Sequence, residues 1–142
     1  MKKILLLLLL PLFLLTSCEK EKTIDADDLP ASANGFVDTH FPNEGITQVT
    51  RVWDDLRISY KVYLTNGARL DFNRQGDIIE MQCHSGLPDS VFPLLVLDYV
   101  RTHYPGVFIR GWERDHEIRE VKLSNGLKLE FDKHGNFLRI DD

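Results

Sequence analysis

Val62-Tyr63-Leu64-Thr65-Asn66-Gly67-Ala68-Arg69-Leu70-Asp71-Phe72-Asn73-Arg74-Gln75-Gly76 and Val121-Lys122-Leu123-Ser124-Asn125-Gly126-Leu127-Lys128-Leu129-Glu130-Phe131-Asp132-Lys133-His134-Gly135 carry one pattern twice, 59 positions apart. In each, apolar residues alternate with polar ones, the period of a strand with one buried face. Asn66-Gly67 and Asn125-Gly126 supply the positive φ angles of a tight hairpin turn. Leu70 and Phe72, or Leu129 and Phe131, then return on the same side. Gly76 and Gly135 make the next turn, and Ile79 with Met81, or Leu138 with Ile140, closes each copy.

The likeness extends in both directions. A gap-free alignment runs from Trp53/Trp112 to Met81/Ile140, and further upstream Phe36-Val37-Asp38-Thr39-His40-Phe41-Pro42 matches Tyr99-Val100-Arg101-Thr102-His103-Tyr104-Pro105. Leu29-Pro30 and Leu87-Pro88 open the copies. Leu94, Leu95, Leu97, Tyr99 and Val100 predict a helix ending at Tyr104-Pro105, and Ala33, Phe36, Val37 and His40 a shorter one in the first copy. Ile46 to Trp53 and Val107 to Glu113 read as first strands. The expected fold class is α+β: a tandem repeat of a helix plus a four-stranded antiparallel meander, copy one over 29–84 and copy two over 85–142. The sheet would have about eight strands, with both helices on one face and the other face open.

Ahead of the repeats, Met1-Lys2-Lys3 is followed by an apolar run from Ile4 to Leu15. A bilayer-spanning helix needs about 20 apolar residues, so 1–17 reads as a signal peptide. Leu15-Thr16-Ser17-Cys18 resembles the lipobox of bacterial lipoproteins, which implies that Cys18 becomes a lipidated mature N-terminus. Cys83 is then the one remaining thiol, and no disulfide within the chain is possible. Residues 18–28, with Glu19, Lys20, Glu21, Lys22, Asp25, Asp27 and Asp28, read as a flexible tether.

The chain has 142 residues and a net charge of -5; without Lys2 and Lys3 it carries 15 basic against 22 acidic residues, or -7. Interspersed charge of this sign, with no Lys/Arg cluster, makes the chain a poor candidate for general phosphate-backbone binding, so no nucleic-acid partner is expected. At 43% hydrophobic and 27% charged residues, the composition is that of a folded globular chain.

The motif Val-x-Leu-x-Asn-Gly-x-x-Leu-x-Phe-x-x-x-Gly, preceded by Phe41-Pro42 or Tyr104-Pro105, resembles the PepSY-like domain of the β-lactamase-inhibitor-like proteins. The resemblance covers roughly Leu29 to Ile140. It implies small secreted or lipid-anchored chains with tandem helix-plus-four-strand units, related in shape to an inhibitor that grips an enzyme with its concave sheet. It carries the fold and names no activity.

Residue chemistry points away from catalysis. There is no Gly-x-Ser-x-Gly, and Cys83 and His84 are strand neighbours that face opposite ways. His40, His84, His103, His116 and His134 form no metal-binding spacing; His40 and His103 fall where a histidine interacts well with a helix C-terminus. Asp71-x-Asn73 and Glu130-x-Asp132 lack the spacing of a calcium loop. No cofactor, metal or catalytic residue is expected.

The outward residues remain. With Val62, Leu64, Leu70 and Phe72 inward, Arg57, Ser59, Lys61, Tyr63, Arg69 and Asp71 point outward, together with Ile78, Glu80, Phe137 and Arg139. Aromatic and apolar residues set among arginine and lysine suit a protein interface. Arg57, Ser59, Lys61, Tyr63, Arg69, Ile78, Phe137 and Arg139 are the candidate protein-binding set. The expected function is a non-enzymatic, lipid-anchored binding module of a Gram-negative cell envelope. Its partner would be an unknown envelope protein or peptide, with the membrane engaged through the N-terminal lipid. A periplasmic small-ligand or metal carrier is the competing reading.

Overall fold

The computed structural model describes residues 19–141; the leader and Cys18 lie outside the described residues. Strands β1 (Lys20–Ile24), β2 (Ile46–Asp54), β3 (Arg57–Leu64), β4 (Arg69–Asn73) and β5 (Ile78–Gln82) are followed by β6 (Ile109–Asp115), β7 (Ile118–Leu123), β8 (Lys128–Asp132) and β9 (Phe137–Asp141). They form one antiparallel sheet in sequence order, β1 to β9. Helix α1 (Ala31–His40) lies between β1 and β2, and α2 (Leu94–His103) between β5 and β6.

Both helices begin immediately after a proline, Pro30 or Pro93, whose fixed φ suits a helix start. Both stop at the residue before a proline, Phe41 or Tyr104, which has left the helical region. Each is ten residues long, so the first helix is not the shorter one. Ala33 and Val37 from α1 and Phe41 just after it, with Val96, Leu97 and Val100 from α2, bury against Val62, Leu64, Leu70, Phe72, Val121, Leu123, Leu129 and Phe131 of the sheet. The continuous apolar core lies on this one face, as the alternation of β3 and β7 requires, while Val52, opposite Ser59, is buried on the other.

Three further expectations are corrected. The sheet has nine strands, not eight, because part of the presumed tether 18–28 pairs as β1 along β2, from Lys20↔Trp53 to Ile24↔Val49. Composition concealed this: the strand is charged, but Ile24 packs on the core and Lys61 holds Glu21 at 3.0 Å. A charged, short outer strand also blunts an otherwise sticky sheet edge.

Second, Ile78 and Phe137 do not face outward. Register shifts between Asp71 and Phe72, and between Glu130 and Phe131, make Ile78 the partner of Phe72 and Phe137 the partner of Phe131. An extra residue in one strand reverses the facing of all that precede it. Both side chains therefore pack on the helix side, and the Phe137 ring stacks on Tyr99 at 4.3 Å.

Third, Trp53 and Trp112 are not equivalent. Trp112 pairs with Val121, whereas Val121's counterpart Val62 pairs with Val49, and Trp53 lies opposite Ile58. The β2–β3 hairpin ends at Asp54↔Arg57, five residues beyond Val49, and the β6–β7 hairpin at Asp115↔Ile118, three beyond Trp112. The first hairpin is therefore longer by two residues on each strand, roughly 7 Å of overhang.

The glycines of the β4–β5 and β8–β9 turns seat the helix starts. A Cβ on Gly76 (φ +87°) would lie 2.1 Å from Ser32 Oγ and 2.8 Å from Pro30 Cβ. Gly67 (φ +82°) has no atom within 4 Å of that position. Gly67→Ala should cost about 1 kcal/mol of backbone strain, and Gly76→Ala about 3 kcal/mol as α1 is displaced. Urea unfolding of the two variants checks the difference; equal losses would contradict this account of the helix seat.

Candidate functional site: the uncovered sheet face

On the face away from the helices, the registers align one residue from every strand: Thr23, Thr50, Lys61, Asp71, Glu80, Glu113, Glu120, Glu130 and Arg139. Five neighbouring strands, β4 to β8, thus place carboxylates side by side, with Lys61 and Arg139 at the two ends of the row. Directly opposed like charges in a sheet are destabilising, and the cations of this face are arranged to offset that. Arg69 bridges Asp71 at 3.1 Å and Glu80 at 2.9 Å, Arg139 meets Glu130 at 2.6 Å, and Lys128 lies 3.6 Å from Glu120.

Asp71 and Glu130, each 9% exposed, sit at matching positions between the Leu and Phe of the repeated motif. Burial pushes the Asp71 carboxyl up to about 6, with Arg69 opposing the shift and Glu80 adding to it. The Glu120 carboxyl is also raised, first by burial and then by a hydrogen bond with Asp141. Glu120, Glu130 and Asp141 offer carboxylate oxygens all within 4.8 Å of one another.

Of the candidate protein-binding residues, Arg57, Ser59, Lys61, Tyr63, Arg69 and Arg139 lie on the uncovered face, and Ile78 and Phe137 do not. Tyr63 is half-buried beside Arg69, in a second row that continues through Gln82, Gly111, Lys122, Lys128 and Asp141. The carboxylate row itself was missing from the sequence reading. Its signal was present in Asp71/Glu130 at one motif position, but joining β5 to β6 required the register Glu80↔Glu113.

The motifs considered for calcium prove to be turn builders. Asn73 Oδ1 accepts from the backbone N–H of Gln75 and Asp77, and Asp132 Oδ1 from those of His134 and Asn136. His40 sits with Nδ1 2.9 Å from Ser90 Oγ, and His103 with Nδ1 2.9 Å from Tyr99 O. Cys83 is buried, with Sγ 3.3 Å from Ser85 Oγ.

The family model described as "Putative beta-lactamase-inhibitor-like, PepSY-like" matches the chain twice, over residues 15–57 and 58–139. The chain belongs to this family. Solved structures agree. A "putative calcium-regulated periplasmic protein" from Bacteroides thetaiotaomicron is 33% identical, with a TM-score of 0.81, covering 86% of this chain and 97% of its own. Two proteins from Bacteroides vulgatus, also described as periplasmic, are 36% and 29% identical with TM-scores of 0.79 and 0.78. Each match covers 87% of this chain, with 98% and 99% of the respective neighbour. No curated protein matches the sequence. These structural neighbours are described as periplasmic proteins of Bacteroides, in keeping with the cell envelope.

Two outcomes test this geometry. A folded-state carboxyl raised above its unfolded value stabilises fully below the unfolded pKa and loses that contribution as pH rises through the folded pKa. For Asp71 the window is pH 4 to about 6, and the loss is roughly 1–2 kcal/mol after solvent screening. Asp71→Asn should flatten the fall in Tm across that window, measured by thermal denaturation at stepped pH. Phe137→Ala should lower stability by about 2 kcal/mol through loss of the stack on Tyr99. An unchanged unfolding midpoint would contradict its place in the core.

Proposed function

We propose that this chain is a non-enzymatic, lipid-anchored binding module of a Gram-negative cell envelope, held to the membrane through Cys18. Its uncovered sheet face engages a protein or peptide through Arg57, Ser59, Lys61, Tyr63, Arg69 and Arg139. The observation that carries this reading is the continuous row Asp71-Glu80-Glu113-Glu120-Glu130 on that face. Such a row lowers the stability of the free protein, and a partner presenting cationic side chains would relieve it. The half-buried Tyr63 beside Arg69 provides an anchor of the aromatic-and-arginine kind that concentrates binding energy. Family membership and the periplasmic neighbours support the envelope setting.

A photo-crosslinker placed at Tyr63 in living cells should capture a defined partner, and one at Asp98 on the exposed side of α2 should not. Reversing charge with Glu80→Lys and Glu113→Lys should reduce that capture at least tenfold. Equal capture from the helix side would overturn the assignment of the face.

A second reading, a metal-responsive carrier, is favoured by the triad Glu120, Glu130 and Asp141 and by the calcium named in the Bacteroides thetaiotaomicron neighbour's description. An all-oxygen carboxylate set suits a hard cation such as calcium. Arg139 and Lys128 already compensate Glu130 and Glu120 and would have to swing aside. On this reading calcium chloride raises Tm by mass action, and Glu120→Gln with Asp141→Asn abolishes the rise; an identical Tm with calcium or chelator excludes it.

A further inference from the structure

The β2–β3 hairpin is the longest in the sheet and carries a residue that packing does not explain. Asp55 adopts a left-handed φ of +49°, which aspartate tolerates at a turn. Its neighbour Leu56, at the tip, is 100% exposed. Trp53 lies on the same arm, half-buried, with the Arg51 guanidinium 5.7 Å from its ring centroid. Together with Lys20, Lys22 and Asp55 it lines an open surface groove.

The direction of β1 gives this tip its setting. Lys20 pairs with Trp53 in antiparallel register, so the chain traced backward through Glu19 runs the same way as β2 runs forward to the tip. Glu19 is fixed at that end by the same Lys61 ammonium that holds Glu21, at 3.9 Å and 3.0 Å. Cys18 is the next residue, one Cα–Cα step of about 3.8 Å away. A lipid on Cys18 would join the described chain at Glu19, the end of β1 nearest the hairpin tip.

We propose that the Leu56 tip and Trp53 dock on the lipid surface next to the anchor and stand the sheet on the membrane by this hairpin. The inference rests on acylation of Cys18. Tryptophan suits the membrane–water interface, with an apolar body and a polar N–H, and leucine suits the acyl boundary. The charges around the tip are Lys20, Lys22, Arg51 and Arg57 against Glu19, Glu21, Asp54 and Asp55, which sum to zero. Docking therefore needs no anionic lipid. Membrane approach by this end would leave the uncovered face alongside the bilayer normal and accessible to a partner.

The test uses the mature lipidated protein, purified from membranes and reconstituted into phosphatidylcholine vesicles containing doxyl-labelled lipid. Trp112→Phe leaves Trp53 as reporter, and Trp53→Phe leaves Trp112. Trp53 emission should be quenched at least twofold more than Trp112 emission. Leu56→Glu, at a fully exposed site, should remove most of that difference while the acyl chains still hold the protein on vesicles. Replacing a third of the lipid with phosphatidylglycerol should change nothing. Equal quenching of the two tryptophans in vesicle-bound protein overturns the docking and leaves the anchor standing. Mass spectrometry showing no lipid on Cys18 removes the anchor and the docking together. A vesicle-independent dimer lost on Leu56→Glu would assign the tip to a second copy and also overturn it.

Discussion

The seam between β5 and β6 makes this molecule one body. It is short: Glu80↔Glu113, Met81↔Trp112 and Gln82↔Gly111, extended by the Cys83 and Leu87 N–H groups donating to Arg110 and Ile109 carbonyls at 2.8 Å. Without it each half would be a small sheet with one helix, a free inner edge and a core at the margin of independent stability. With it, Met81 is buried and the core runs unbroken beneath both helices. Gly111, opposite Gln82 in this seam, also keeps β7 close, because a Cβ there would crowd Lys122 Cβ at 3.1 Å. The same pairing sets Glu80 against Glu113 and so completes the carboxylate row. The electrostatic character of the open face thus follows from where the two halves join.

Much of the architecture was legible in the repeated motif, because strict alternation at period two leaves little choice of face. Val62, Leu64, Leu70, Phe72, Val121, Leu123, Leu129 and Phe131 all fall where the alternation puts them. Two of the failures share one physical origin, the insertion of residues that break the period. A bulge before Phe72 and another before Phe131 turned Ile78 and Phe137 inward. A longer first hairpin made Trp53 and Trp112 align in sequence while occupying different places in the sheet. The strand β1 escaped for another reason: its pairing is carried by backbone hydrogen bonds and by Lys61, neither of which leaves a mark in the composition of Lys20 to Ile24.

The candidate site was half legible. Lys61, Tyr63 and Arg69 could be placed on the open face from β3 and β4 alone, since both strands are regular there. The carboxylate row could not, because it depends on the lateral order of nine strands and on registers across the seam. A sequence can declare which face a residue takes within its own hairpin, but it is nearly silent about which residue stands beside it three strands away.

The two ends of the row do different jobs. At β9, Arg139 neutralises Glu130 from an exposed outer strand, where it is free to exchange its partner. At the other end, Lys61 is already shared: Glu21 of β1, and Glu19 just before it, draw its ammonium across β2, and their pull raises its pKa. Asp71, adjacent to Lys61 in the row, has its direct ion pair with Arg69, feels Lys61 only at longer range, and remains buried with a carboxyl pKa raised by that burial. The strand next to the chain's exit and the charge balance of the open face are therefore coupled through one side chain. Anything that draws Lys61 back toward Asp71 weakens the hold on β1, and anything that fixes β1 more firmly leaves the row more acidic.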